Sequence, residues 1–267
     1  PTNSSSSSTG TSSTVMIVID DDDGQDDDEL DAVLQTGSAL GLTADDVECL
    51  RPREYLNDAI VDYWIDYLFE QRHAQTVEGI YCFRSLFWVK LSESTSDGWM
   101  RWTSKIDLSA ARVVLIPVCQ SAHWTLVLIR LVGTAPMVMW LDSLGGCIDE
   151  DSIKAVKKLL RFVEQQRSKN EDETNKTDDN NDESNNNDDD VYINPRVPQQ
   201  KNLTDCGLFM LEFIEAAIRH PQAVERYSDQ RGRRSLFPAS VNRSIVSRLR
   251  RKRREILAVV QQPSHQM

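Results

Sequence analysis

The sequence predicts an α+β domain, and three observations carry that reading. Val113–Pro117, Trp124–Leu131 and Met137–Leu141 are successive runs rich in Val, Ile and Leu, the composition of strands. Ile60, Trp64 and Leu68 recur four apart, which places them on one face of a helix. Leu208–Ala217 is almost wholly apolar and follows a polar turn, so it reads as a buried helix with Cys206 at or near its first turn.

Taken in order, residues 1–14 are Ser/Thr-rich and are expected to be disordered. Val15–Ile19 follows, a short β-prone strip flanked by the acids of 20–29, and it fits either an edge strand added to a partner's sheet or an isolated apolar patch. The domain is expected to run from about 41 to 260, with tails at 1–40 and 261–267. Asn57 suits the N-cap of a helix reaching about Glu70. Tyr81–Leu91 is mixed aromatic and apolar, and the three strands come next. Ser152 suits the cap of a helix carrying Ile153, Val156, Leu160 and Val163. Residues 168–190 are Asn, Asp and Glu with almost no apolar side chain, which predicts a flexible insertion that cannot offset its ordering entropy. Val191–Ile193 reads as a short strand before the turn at 200–206. Val241, Ile245, Leu249, Ile256 and Val260, set among Arg and Lys, predict a terminal amphipathic helix.

The formal charge of -12 belongs to two segments. Nine acids lie in residues 1–31 and ten in 168–190, against two lysines, so 23 acids face 28 basic residues in the remainder. A mildly basic body suits an acidic protein or nucleic acid without choosing between them. The basic cluster at Arg248 and Arg250–Arg254 fits an import signal, a nucleic-acid patch or the solvated face of a packed helix. The five cysteines are odd in number and scattered, with no Cys-x-x-Cys pair, so neither a zinc site nor a disulfide framework is indicated. With no signal peptide and no apolar run of membrane-spanning length, the expected home is the cytoplasm or nucleus, with no membrane partner. Beginning at Pro1, the chain reads as a fragment of a longer protein. There is no dinucleotide or P-loop glycine motif and no internal repeat.

The chemistry concentrates in Gln200-Lys-Asn-Leu-Thr-Asp-Cys206-Gly207. A thiol at a helix start meets unpaired N–H groups and the positive end of the dipole, which predicts a lowered pKa. His123 opens one strand and Asp142 closes the next, so neighbouring strands bring them to one end of a sheet. An imidazole held by a carboxylate activates a thiol, and Gln200 with the Cys206 N–H can serve an oxyanion. The alternative for Asp142 is a cap on the turn before Ser143-Leu-Gly-Gly. Cys49, Cys82, Cys119 and Cys147 lack such company and read as packing or surface residues.

His123-Trp124, a strand ending in Asp142-Ser143, Pro198-Gln-Gln-Lys-Asn-Leu-Thr-Asp-Cys-Gly207 and Tyr55-Leu-Asn-Asp58 together resemble the Ulp/SENP cysteine proteases that act on SUMO and related modifiers, from about Thr43 to about Arg219. The resemblance implies a papain-like fold, with a nucleophile helix on a small mixed sheet and His123, Asp142, Gln200 and Cys206 as catalytic residues. It implies that Tyr55, where many members carry Trp, and Trp124 form a narrow tunnel over a Gly-Gly tail. Asp58 then either meets a basic residue on the modifier or simply favours its helix start. The implied activity is cleavage after the Gly-Gly of SUMO, in deconjugation, precursor maturation or both, by a monomer that needs no metal, organic cofactor or nucleic acid. The Val15–Ile19 strip resembles a SUMO-interacting motif. A protease for Nedd8 or ubiquitin, and a non-catalytic SUMO-binding module, are the alternatives.

Overall fold

The computed structural model describes residues 42–93, 98–103, 106–133, 135–172 and 191–261. The Val15–Ile19 strip and residues 173–190 of the acidic segment lie outside the described residues. Helix α1 (Ala44–Glu48) starts with a reciprocal capping box between Thr43 and Asp46. Helix α2 (Asp58–Asp66) is capped as its sequence suggests, with Asn57 Oδ1 accepting from the Ile60 N–H at 2.9 Å. A cap of this kind contributes about 1 kcal/mol. Ile60, Trp64 and Leu68 are fully buried, but the α-helix does not reach Glu70, because Tyr67–Arg72 widens into a π-helical turn.

Strands β1 (Ile80–Cys82), β2 (Val113–Gln120), β3 (His123–Arg130), β4 (Met137–Leu141) and β5 (Val191–Ile193) form one mixed sheet in the order 1-2-3-4-5. The outer pairs are parallel and the two central pairs antiparallel. Leu126, Leu128 and Met139 enter one core, while Val127, Ile129 and Val138 enter another. Burial on both faces explains why these strands read as continuous apolar runs rather than alternating ones.

The second core is closed by α3 (Phe87–Ser92), α4 (Gly98–Thr103) and α5 (Glu150–Asp172). The start of α5 corrects the sequence reading. Asp149, not Ser152, supplies the cap, its Oδ1 accepting from the Ser152 N–H at 2.7 Å. The far end corrects it too, since 168–172, expected in the insertion, continue the helix. The first core is built on α6 (Cys206–Arg219), buried from Cys206 through Ile218, with α7 (Pro221–Glu225) and α8 (Ala239–Val260) against it.

Two glutamates of α6, Glu212 and Glu215, are wholly buried, and α8 answers them with Lys252. Its ammonium reaches Glu212, Glu215 at 2.9 Å and Glu255 at 3.1 Å, and stands 5.0 Å from the Trp64 ring centre. Arg248 pairs with Glu212 at 2.6 Å. The basic cluster of the sequence is therefore divided, with Arg248 and Lys252 spent on packing α8 to α6 and Arg250, Arg251 and Arg254 exposed.

The β2–β3 hairpin pairs Gln120 with His123, leaving a two-residue turn in which Ser121 and Ala122 both have positive φ, 51° and 59°. Tight hairpins favour this twist, but with Asn-Gly rather than two residues that carry a Cβ against the backbone. A left-handed residue costs roughly 1–2 kcal/mol, and glycine returns part of that as chain entropy. Ala122→Gly is therefore expected to stabilise the domain by about 0.5–1 kcal/mol, read as a higher urea midpoint at unchanged slope. A lower midpoint would contradict the assignment of strain to this turn.

Candidate active site

The antiparallel register sets Leu126 opposite Leu141, so His123 at the head of β3 and Asp142 just past β4 share one end of the sheet. His123 Nε2 lies 2.8 Å from Asp142 Oδ1. Asp142 is buried, and its oxygens also accept from the Leu144 N–H at 2.7 Å and the Gly146 N–H at 2.9 Å. It thus caps the following turn and holds the imidazole at once. A Cβ on Gly146 would stand 2.3 Å from Asp142 Oδ2, so only glycine permits that grip. With Nε2–H given to Asp142, Nδ1 is the ring nitrogen left for another partner.

Cys206 is the first residue of α6 and is 1% exposed. Burial pushes its thiol above the ordinary value, and the Asp205 charge adds to that. The N–H groups of Trp124, Gly207 and Cys206 itself pull the other way and do not prevail. The expectation of a lowered pKa from the helix start is overturned, because desolvation outweighs the local dipole. The Trp124 amide on the sulfur puts Cys206 one residue from His123. Ionising a thiol held this way calls for a neighbouring base.

Gln200 is buried against Ser143, the residue after Asp142. Its N–H donates to Ser143 O at 2.9 Å, Ser143 Oγ donates to its Oε1, and its Nε2 donates to Asn202 O at 2.7 Å. One amide hydrogen is committed to Asn202, and Nε2 carries a second. Asn202 Oδ1 accepts from the Thr204 and Asp205 N–H groups, folding the turn that delivers Cys206. Gln199 Nε2 donates to Asp142 O at 3.0 Å. Ser143, Gln199 and Asn202 were not singled out in the sequence. For Asn202 the signal was present, as Asn three residues before Asp205 suits an Asx turn.

Trp124 is buried on the same core as Cys206, its Nε1 donating to Leu56 O at 2.8 Å. A Cβ on Gly207 would lie 3.0 Å from Leu56 Cβ, so the 55–58 segment rests directly on the start of α6. Tyr55, one residue before Leu56, is 44% exposed. Asp58 is exposed at the head of α2, its Oδ1 accepting from the Ala59 N–H at 3.1 Å. Of the other cysteines, Cys119 and Cys147 are exposed, while burial pushes Cys82 well up and Cys49 up to about 11.

Among known proteins, sentrin-specific protease 2 of Pongo abelii is 25% identical over 189 residues, 71% of this chain and 30% of that protein. A probable ubiquitin-like-specific protease 2B of Arabidopsis thaliana is 28% identical over 205 residues, 66% of this chain and 21% of that protein. The chain thus spans less than a third of either relative's length. The solved structure of SUMO protease Ulp1 with its catalytic cysteine oxidised to a sulfenic acid superposes with a TM-score of 0.59 at 22% identity, covering 93% of this chain and 97% of that one. That likeness supports the α+β, papain-like fold expected from the sequence. The model described as the Ulp1 protease family, C-terminal catalytic domain, matches residues 54–252, and with every residue from Tyr55 to Cys206 discussed above inside that span, the chain belongs to the Ulp1 protease family.

Proposed function

We propose that this chain is a cysteine isopeptidase that cleaves after the C-terminal Gly-Gly of SUMO. The observation that carries the reading is the His123–Asp142 pair at 2.8 Å next to a buried thiol bonded by the amide of the following residue, Trp124. Relatives named sentrin-specific and ubiquitin-like-specific proteases, and the similar structure of a SUMO protease, support the substrate class.

The steps follow from the geometry. His123 Nδ1 takes the Cys206 proton, with Asp142 holding the imidazolium that forms. The thiolate adds to the carbonyl carbon of the terminal glycine, and the oxyanion is met by the free Nε2 hydrogen of Gln200 and the Cys206 N–H. His123 returns the proton to the leaving lysine amine. Water then hydrolyses the thioester, freeing the glycine carboxylate and the thiol. Trp124 and Tyr55 flank the approach, and a tail without side chains passes between rings where one with a Cβ does not.

Gln200→Ala is expected to lower turnover roughly 10²–10³-fold with a smaller change in KM, because the donor serves charge that develops only in the transition state. An unchanged turnover would remove Gln200 from the mechanism. The substrate class is tested with SUMO, Nedd8 and ubiquitin, each carrying the same C-terminal electrophile. Adduct formation at Cys206 with SUMO, faster than with the others, supports the reading. Preference for another modifier reassigns the substrate, and no adduct with any of them defeats it.

A further inference from the structure

Arg253 on α8 is a side chain the reaction above does not use, and the site is built around it. Its side chain is 13% exposed. Nη1 donates to Cys49 O at 2.9 Å and Arg51 O at 3.1 Å, Nη2 donates to Glu54 O at 2.7 Å, and Nη2 stands 3.5 Å from Asp205 Oδ1. The three carbonyls belong to the segment that ends at Tyr55, and the carboxylate belongs to the residue before Cys206. That segment contains Arg53 at a φ of 67°, a left-handed turn in a residue with a Cβ, which surrounding contacts must hold in place. Asp205 in turn accepts from Asn202 Nδ2 at 2.8 Å, and Asn202 O holds the Gln200 amide. A single planar fork thus joins the leading segment, the turn before the nucleophile and, through Asn202, the oxyanion donor.

We infer that Arg253 is a positioning residue for the isopeptidase reaction, clamping the Tyr55 segment onto the Cys206 turn and neutralising Asp205 beside the thiol. The inference rests on the proposed function for its substrate, though not for its effect on Cys206. The two roles separate by chemistry. Only a guanidinium presents several donors in a fixed fork to three carbonyls, whereas any cation screens Asp205. The groups facing Cys206 are Asp205 on its own turn, Cys119 from β2, His123 beside Trp124 on β3, and Arg253 from α8 by way of Asp205. The Asp205 charge already pushes the thiol up, so uncovering it pushes further in the same direction.

The test compares the full chain with Arg253→Ala and Arg253→Lys. Active sites are counted with the SUMO electrophile, and folding is checked by thermal melt. On a SUMO substrate with a fluorogenic leaving group, both variants are expected to raise KM at least fivefold, with kcat per active site about tenfold lower for Arg253→Ala. Iodoacetamide labelling of the Cys206 peptide, followed by mass spectrometry across pH, reads the charge. Arg253→Ala is expected to move the profile to higher pH, and Arg253→Lys to leave it in place. Wild-type KM, kcat and labelling profile in folded Arg253→Ala overturn the inference, as does a loss that tracks only the fraction of unfolded protein. A wild-type chain inert toward SUMO defeats the proposed function instead, while the labelling profile still decides the role of Arg253.

Discussion

Cys206→Ala is expected to abolish cleavage of a Gly-Gly substrate, lowering turnover on the order of 10⁴-fold or more, because no other group in the site can form the acyl intermediate. The fold should survive. The residue is buried at the start of α6 against Leu56 and Trp124, and exchanging a sulfur for a hydrogen leaves only a small void there. Binding should survive as well, since under the proposed function Trp124 and Tyr55, and not the thiol, hold the tail. The variant is therefore predicted to behave as a trap, with an unchanged Kd for SUMO by titration calorimetry and no product over many half-times of the wild type. Cys206→Ser tests the same point with closer shape, as its hydroxyl is far less acidic than a thiol. Turnover above about 1% of wild type in either variant would be a loss of at most about 10²-fold, roughly 10²-fold short of the expected one, and would assign the nucleophile elsewhere.

Lys252→Met is expected to destabilise the domain by about 3–5 kcal/mol at neutral pH, the usual effect of removing one partner from a buried ion pair. Methionine keeps the length and apolar stem of lysine, so the loss reads the charge rather than a cavity. Glu212 and Glu215 are both wholly buried, and Arg248, Arg72 and, at 3.5 Å from Glu215, His73 would remain beside them. Burial by itself would raise the Glu215 carboxyl. Lys252, with Arg72 and Arg248, reverses this and holds it at about 2. The sign of the pH dependence follows. A carboxyl depressed in the folded state adds stability that is fully present above its ordinary 4.5 and is lost as pH falls toward about 2. The gap between wild type and Lys252→Met should accordingly narrow below about pH 4.5, as a protonated Glu215 no longer needs the lysine. Urea midpoints at pH 7 and pH 3 measure it, and an equal gap at both would refute the electrostatic account.

His123, Asp142 and Cys206 were legible because each stands where one pattern gives way to another, two at strand ends and one at the start of an apolar helix. The strands were legible because burial on both faces leaves an uninterrupted apolar signature. What stayed hidden depended on distance along the chain. A helix start favours a thiolate locally, but whether the sulfur is desolvated is decided by distant parts of the chain, with the Trp124 amide of β3 on the sulfur and Leu56 packed on the neighbouring Gly207. The Arg-rich stretch of α8 looked like a solvated face, and nothing within it reveals that Lys252 meets two glutamates some forty residues earlier or that Arg253 meets carbonyls near position 50. Asp149 displaced Ser152 as a cap by a choice of three residues that composition does not settle. The widening of α2 into a π-helical turn leaves no signature in the spacing of its apolar residues.

The positions of Leu56, His123, Asp142, Cys206 and Arg253 have a consequence for how the molecule comes into being. The cleft draws on segments almost two hundred residues apart, and the last of them lies in the helix that is synthesised at the end of the domain. Contacts of such long range form slowly and late. A chain emerging from the ribosome can pair β2 with β3 and set His123 in its turn well before α8 exists, yet the tie that Arg253 makes between the Tyr55 segment and the Cys206 turn waits until α8 has been translated. Under the proposed function, the clamp is therefore completed only with the last helix of the domain, and a chain that ends before α8 is expected to lack it.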